Sequence, residues 1–511
     1  MKMMNRTFLV SAAFSSCLVA TSQNVKPNVV LIYADDLGYG DIACNGSKTI
    51  QTPNIDRLVE NGVRFTNAHS AAATSTPSRY AMLTGEYAWR RKGTEIADGD
   101  AGLIIRPNRY TMADLFSDNG YKTAAIGKWH LGIGDKKGGQ DWNGLITPNL
   151  SDIGFQYSYI MAATGDRTPC VYIENGRVCN LDPKDPIAVS YKDSFPGYPT
   201  GKNNPHLLKM QPSHGHNQAI VNGVSRIGYM KGGRSALWTD ETIADTITSK
   251  AVRFIDENAA HPFFLYFGTN DIHVPRVPNP RFVGKSGMGS RGDAILQFDW
   301  SVGQILDKLE AMGLMSNTLI LLSSDNGPVL NDGYQDRAEE LLGEHKPWGE
   351  FRGGKYSLYE AGTRVPCIVS WKGKTKGQVS DALMCQVDWF ASFASLIGGN
   401  PNGEETDSQN HMNAWLGKSK KGREYLVLQN GNNNLSVTDG KWKYIDSGKG
   451  FFKSKNTNIE LGNMPRPQLY NLKEDISERH NVIDQHPKVA EKYAAILQSI
   501  KDGRVGMSIE Q

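Results

Sequence analysis

The chain carries two pairs of adjacent oxygen donors, Asp35-Asp36 and Asp325-Asn326, each placed directly after an apolar run of strand length. Carboxylate and amide oxygens are hard ligands, so the four together suit Ca²⁺, with Mg²⁺ as second choice, whereas a zinc site asks for His or Cys. One Asp-Asp pair in a turn is ordinarily a solvated cap. Two pairs closing two apolar runs point to a single site. Four further groups stand in polar stretches: Lys128 and His130 in GKWHLG, His273 in DIHVP and Lys355 in RGGKYSLYE. Singly, each reads as a surface charge or a structural imidazole. Beside a divalent cation they make a cluster that holds a multiply anionic oxyanion and moves protons.

That set lacks a nucleophile, and TSTPSRYAMLTGEY (residues 74–87) offers Ser75. Local rules read the stretch as a helix start: Ser75 or Thr76 is the N-cap and Pro77 the first helical residue. Tyr80, Leu83 and Thr84 then share one face before Gly85 ends the turn.

The elements that must position these groups alternate. NVVLIYADDLGYGD reads as a buried parallel strand ending in a functional loop. TPNIDRLVENGVRF reads as a helix capped by Thr52, with Pro53 at N1 and Ile55, Leu58 and Val59 on one face. Gly62 closes it before another strand. A helix over 111–117 leads to a strand toward Ile126, and PFFLYFGTNDIHVP and NTLILLSSDNG supply two more strands. Strand ends that collect polar groups on one edge predict a doubly wound α/β domain built on a large mixed sheet. Residues 140–235 break the rhythm with Gly, Asn, Pro and Lys, as a wall or lid over a site does. Past a helix-like stretch at 387–397, PNGEETDSQN reads as a linker to a smaller α+β unit. That unit has strand signals at GKWKYID and QLYNL and a helix over 487–500. The expected division is 1–22 leader, 23–400 catalytic domain and 401–511 C-terminal α+β subdomain.

Composition narrows the class. With 39% apolar and 21% charged residues the chain is globular, and 56 basic against 53 acidic residues leave no footprint for nucleic acid. Lys2 and Arg6 precede an apolar stretch from Phe8 to about Ala20, and Ala20-Thr21-Ser22 supplies small residues for cleavage. This run is too short to span a bilayer, so no transmembrane segment is expected. The protein is expected to be exported to the periplasm, with secretion or lipid anchoring through Cys17 as alternatives. The other cysteines, Cys44, Cys170, Cys179, Cys367 and Cys385, are odd in number and lack metal-type spacing. In CVYIENGRVC a turn at Asn175-Gly176 sets Cys179 opposite Tyr172, which argues against a 170–179 disulfide.

Ser75-Thr-Pro-Ser-Arg79, running on to Leu83-Thr84-Gly85, resembles the signature of the type I formylglycine-dependent sulfatases, the arylsulfatase-like family of the alkaline phosphatase superfamily. ADDLGYGD, GKWHLG, HVP, SDNG and GGKYSLYEAGTRVP are similar to that family's other motifs, in its order. Ser in place of Cys is similar to the bacterial branch. The resemblance implies that a serine-type sulfatase-maturating enzyme oxidises Ser75 to formylglycine (3-oxoalanine). It also implies that Asp35, Asp36, Asp325, Asn326 and residue 75 ligate the cation, and that Arg79 hydrogen-bonds residue 75. By the same resemblance, the aldehyde hydrate attacks sulfur and Lys128 spreads the charge of the sulfate. His273, assisted by Lys355, protonates the leaving alcohol, and His130 takes the proton that drives sulfate out.

For the substrate, the irregular stretch offers Asp166, Arg167, His214, His216, Arg234 and Trp238, and the segment before Lys355 offers Asp332, Tyr334, His345 and Arg352. Such groups suit the hydroxyls of a sulfated saccharide better than a steroid's rings. ATGDRTPCVYIENGRV and SHGHN are similar to groups acting on sulfated galactose or N-acetylgalactosamine, which sets the expectation of a 4-O-sulfate. The sequence shows no obvious tandem basic groove, which sets the expectation of exo-action at a non-reducing end. Two rivals stand: a phosphate ester hydrolase of the same superfamily, and a secreted glycan-binding protein whose Ser75 stays unmodified.

Overall fold

The computed structural model describes residues 26–400 and 406–503, so the expected leader, Cys17 and part of the linker lie outside the described residues. Asn28–Ala34 (β1) is a β-branched run buried at every position, as a strand covered on both faces must be. The same logic forms Gly62–Phe65 (β2), Lys122–Lys128 (β3), Tyr157–Met161 (β4), Phe263–Gly268 (β7) and Thr318–Ser324 (β8). With Tyr172–Glu174 (β5), Arg177–Val178 (β6), Cys367–Ser370 (β9) and Gln378–Ser380 (β10) they build one ten-stranded sheet, ordered β10-β2-β9-β8-β1-β7-β3-β4-β5-β6. Its centre, β8-β1-β7-β3-β4, is parallel, and antiparallel pairs follow on both sides.

Adjacent residues of β7 show the two covering layers. Phe263 meets Phe254 of helix Ile243–Glu257, whereas Phe264 stacks on Phe116 of helix Met112–Asp118 at 4.3 Å between ring centres. Helix Gly289–Ala311 packs on the first side and helix Trp389–Ile397 on the second. The fold is thus the expected large mixed α/β sheet. The stretch 140–235 is less irregular than expected: Tyr229–Lys231 pairs with Ala188–Ser190, and Ile220–Val221 with Val224–Ser225. The turn at Asn175-Gly176 forms as expected, with Glu174 opposite Arg177 and the Cys179 amide donating to Tyr172 O at 2.9 Å. Both cysteines are free.

Two caps differ from expectation. Helix Pro53–Glu60 begins at Pro53, but the Thr52 hydroxyl accepts from the Ala43 amide instead of capping it. Helix Ser75–Thr84 begins at Ser75 itself, with Thr74 in the N-cap position and Pro77 third in the helix. All ten of its residues are buried, so the Ser75 hydroxyl is neither spent on the backbone nor exposed to solvent.

A smaller antiparallel sheet, Leu426–Gln429, Leu435–Thr438, Trp442–Ile445 and Gln468–Asn471, follows with helix Pro487–Lys501 against it. Its first strand grips the lead-in to Ser75: Gln429 O accepts from the Ala73 amide (2.8 Å) and the Gln429 amide donates to Ala71 O (3.3 Å). A buried ion cluster joins strand Trp442–Ile445 of this sheet to the segment 360–364 that leads into β9. Lys443 lies 3.0 Å from Glu360 and 3.1 Å from Glu478, and Arg364 donates to Glu360 at 2.8 Å. Burial opposes charge on Glu360, but Lys443, His69 and Arg364 outweigh it and hold the carboxyl at about 2. Removing a partner from a buried pair leaves the other charge uncompensated. Lys443→Met is therefore expected to cost about 3–5 kcal/mol in urea unfolding, and an unchanged midpoint would refute the role given to the cluster. Among the described residues, no helix is long and apolar enough to cross a membrane.

Candidate active site

Strand register assembles the oxygen donors. Ala34 of β1 pairs with Ser324 of β8, so Asp35-Asp36 and Asp325-Asn326 leave the sheet side by side. The Asp36 amide donates to Asp325 Oδ1 at 3.2 Å and Asn326 Nδ2 donates to Asp36 Oδ1 at 2.7 Å. Asp35 Oδ1 and Asn326 Oδ1 are buried and accept no hydrogen bond, a debt that a cation discharges. Burial raises Asp35 well above the carboxylate range despite Lys128, and raises Asp36 despite Lys355. Asp325 goes the other way, because Arg79 and Lys128 outweigh its burial. An all-oxygen set in which buried carboxylates crowd one another fits a hard divalent cation and does not fit zinc. One imidazole nitrogen, His273 Nε2, faces the set at 4.0 Å from Asp36, close enough to Asp35 and Asp36 for the three to surround one ion. A single imidazole among four oxygen donors still favours a hard cation.

Ser75 reaches this edge from its helix. Its Oγ accepts from Arg79 Nε at 2.9 Å, and Arg79 Nη2 donates to Asp325 Oδ2 at 2.8 Å. Arg79 also donates to the Tyr266 hydroxyl and lies over the Tyr33 ring, so its plane is fixed on three sides. His130 Nδ1 stands 3.1 Å from the Ser75 oxygen. The other ring nitrogen, Nε2, faces the Ala97 carbonyl at 3.0 Å, which can only accept. The ring proton therefore sits on Nε2, and Nδ1 offers a lone pair to Ser75. Burial, then Lys128, Arg167 and Arg79, keep His130 neutral, as a base must be.

Lys128 Nζ lies 2.6 Å from Asp35 and 3.5 Å from Asp325. Lys355 Nζ lies 3.0 Å from Asp36 and 2.9 Å from Asp332. His273 Nδ1 donates to Val274 O at 2.6 Å, which leaves Nε2 toward Asp36. Burial and the two lysines push His273 down. Asp36, His130 and Tyr356 all adopt left-handed backbone (φ 59°, 58° and 73°), at a cost of about 1–3 kcal/mol each that ordinary loops avoid. Such outliers mark a site that over-determines its geometry.

The expected sugar-binding residues divide. Asp166 and Arg167 follow the end of β4, and His216 Nε2 bonds Asp166 Oδ2 at 2.9 Å. Burial raises Asp166, but Arg167, His273 and His216 hold it well below the carboxylate range, and Asp166 in turn raises His216. A side chain at Gly333 would strike the His216 ring, its Cβ lying 2.1 Å from Nδ1, so the glycine makes room for that ring. His214 sits beside this pair, with ring centres 6.1 Å apart, and Asp332 joins through Lys355 and Tyr356. Tyr334 backs His216 at 4.9 Å.

Four others lie apart. His345 is buried and bonded to Asp41 at 2.8 Å, behind the Asp35-Asp36 loop, where Arg291 meets the same carboxylate. Arg352 is engaged with Glu460 at 2.6 Å and stacked on Tyr359. Trp238 is buried against Tyr172, and the Arg234 amide donates to Asp185 away from the cluster. In the opposite sense, sequence reasoning passed over Tyr33, Tyr266, Tyr356 and Asn270, which hold Arg79, Asp332 and the Gly165 amide. The two strand tyrosines carry no signal in an apolar run. Tyr356, next to Lys355 in KYSLYE, is legible only as that lysine's neighbour.

The sulfatase family profile matches residues 27–399. An N-acetylgalactosamine-6-O-sulfatase of Bacteroides thetaiotaomicron is 53% identical over 477 residues, 93% of each chain. Human arylsulfatase A is 27% identical over 93% of this chain and 86% of its own. A solved structure concerned with the metabolism of multiple glycosaminoglycans by Bacteroides thetaiotaomicron superposes with a TM-score of 0.92 at 53% identity, covering 93% of this chain and 99% of that one. The chain belongs to the sulfatase family, enzymes that hydrolyse sulfuric esters and generally use a formylglycine and a divalent metal.

Proposed function

We propose that this enzyme removes the 6-O-sulfate of N-acetylgalactosamine from the end of a sulfated saccharide, with Ser75 matured to formylglycine by a serine-type maturase and Ca²⁺ as the cation. The chemistry rests on one observation: the Ser75 oxygen is held between a guanidinium donor and the unprotonated nitrogen of a buried imidazole, beside an all-oxygen donor set. The sugar and the position rest on the relative named an N-acetylgalactosamine-6-O-sulfatase, and the 4-O-sulfate expected from short motifs gives way to it. Export, guided by the charged, apolar and small residues of 1–22, completes the reading.

Asp35, Asp36, Asp325, Asn326 and residue 75 would hold the cation, which supplies Lewis-acid stabilisation of the sulfate oxygens. Arg79 orients the oxygen of residue 75, and His130 Nδ1 accepts its proton. Lys128 and Lys355 place positive charge where the sulfate must sit. The Asp166–His216 pair, with Arg167 and His214 beside it, offers acceptors and donors to the sugar's ring hydroxyls.

His273 faces the site through Nε2, which is unprotonated while Nδ1–H is given to Val274 O. The negative charge of a bound sulfate ester offsets the two lysines that push the ring down, so that Nε2 takes up a proton and passes it to the leaving oxygen. A sugar alcohol is a poor leaving group and needs that proton, whereas an activated phenol does not. His273→Ala is therefore expected to slow sugar sulfate hydrolysis by about 10²–10⁴-fold and a nitrophenyl sulfate far less. Equal losses on the two substrates would remove His273 from the acid role.

The substrate claim is tested by free sulfate released from 6-O- and 4-O-sulfated N-acetylgalactosamine and galactose. The 6-O-sulfated N-acetylgalactosamine is expected to react fastest. Faster release from the 4-O-sulfate would overturn the assignment.

A further inference from the structure

The segment following the Ser75 helix has two faces. Ala97 turns inward, its carbonyl on His130 and its amide on Thr76 Oγ1 (3.1 Å), while Glu95 and Ile96 point outward, Ile96 at 40% exposure. Along the outer face runs a cavity of about 770 Å³, a volume typical of ligand clefts. Arg91, Lys92, Arg106, Arg109, Lys136 and Lys137 line it against only Glu95 and Asp98, a local excess of four positive charges where the whole chain has three. Some of this charge is answered, since Lys137 pairs with Asp98, and Arg91 and Arg109 both lie against Glu86. Lys92 and Lys136 are exposed and make no ion pair among the described residues, and Arg106 reaches only the Asp135 carbonyl at 2.8 Å and its carboxylate at 3.9 Å.

The groove continues. A second cavity of about 480 Å³ shares Arg91, Lys92, Thr94 and Glu95 with the first and adds Trp89, Asn433, Asn434 and, as a pair of opposite charges, Asp446 and Lys501. Those asparagines belong to the turn after strand Leu426–Gln429, and Gly431 in the same turn donates to Tyr356 O at 3.5 Å, at the edge of the active site. Ala97, which lines the first cavity, also carries the carbonyl that meets His130, so one wall of the track is shared with the Ser75 cluster. Like charges gathered on an exposed surface repel one another unless an anion joins them. Amides and an aromatic ring among them suit a sugar chain.

We infer that this track binds a polyanionic glycan, carrying carboxylate or sulfate groups on successive sugars, as the remainder of the molecule whose terminal ester reaches Ser75. The inference deepens the carbohydrate reading above and rests on it for the nature of the chain, while the charge balance argues for its sign.

The test uses a fluorescently labelled, size-defined oligosaccharide of alternating uronate and sulfated N-acetylgalactosamine, titrated into Ser75→Ala protein so that nothing is cleaved. Adding Lys92→Ala, Arg106→Ala and Lys136→Ala together is expected to weaken binding about tenfold, with the remaining affinity less sensitive to salt. The same three changes in matured enzyme with Ser75 intact leave hydrolysis of a singly sulfated monosaccharide unchanged, which shows that the site is folded. Equal affinity with and without the three cations overturns the inference. Equal binding of an oligodeoxynucleotide of the same charge overturns its assignment to a glycan. Track-dependent binding of the oligosaccharide, with no sulfate released from any sugar by matured enzyme, would sink the proposed activity and leave the track standing.

Discussion

Ser75→Ala is expected to remove sulfate release on the order of a millionfold, the scale of loss that follows when a covalent nucleophile is deleted. Folding loses far less. The Ser75 hydroxyl accepts one hydrogen bond from Arg79 and meets His130, and each such contact contributes about 1 kcal/mol net. Arg79 keeps Asp325 and Tyr266, and His130 keeps the Ala97 carbonyl, so neither side chain is released by the change. The variant is accordingly expected to unfold within about 2 kcal/mol of the parent. Initial rates and urea titration of the same preparation separate the two quantities. Activity retained within tenfold would mean that another group attacks sulfur.

The second large effect belongs to the donor set. Asp325→Asn keeps the shape and an oxygen for the Asp36 amide, but of the three carboxylates in the donor set it removes the one that its neighbours hold below the ordinary range. The remaining donors then offer one negative charge fewer to the cation. Loss of a partner outside the coordination sphere costs about 10–100-fold in metal affinity, so loss of a charged ligand is expected to exceed that range. Metal content after dialysis is expected to fall to background, activity is expected to follow it, and added Ca²⁺ is expected to raise the melting temperature of the parent but not of the variant. A variant that binds Ca²⁺ like the parent would take Asp325 out of the site. The Arg79–Asp325 ion pair is also lost, so part of any drop in stability comes from Arg79 and not from the metal.

The centre of the fold was legible because its strands are covered on both faces. β1, β7 and β8 read as unbroken apolar runs that stop in polar residues, and such runs have few alternatives. The site was legible for the same reason: Asp35-Asp36 and Asp325-Asn326 each follow a strand, and register does the rest. Capping was less so. A hydroxyl near a helix start has several possible partners, and Thr52 chose the Ala43 amide while Ser75 chose Arg79 and His130. Long polar side chains were the least legible. His345 and Arg352 have the chemistry of sugar ligands, but Asp41 and Glu460, far away in the chain, claim them first. Strands Leu426–Gln429 and Leu435–Thr438 went unseen because only the later GKWKYID and QLYNL runs stood out in that region. Their connection, GNNNL, marks a turn without declaring what it joins.

In the proposed mechanism residue 75 reacts in its oxidised form. The direct measurement is the mass of the peptide carrying Ser75, taken across preparations made with graded amounts of a serine-type maturase and paired with sulfate release from 6-O-sulfated N-acetylgalactosamine. A peptide lighter by two hydrogens is expected, in a fraction to which the rate is proportional, with no activity where that fraction is zero. Full turnover by protein whose Ser75 is wholly unmodified would contradict it.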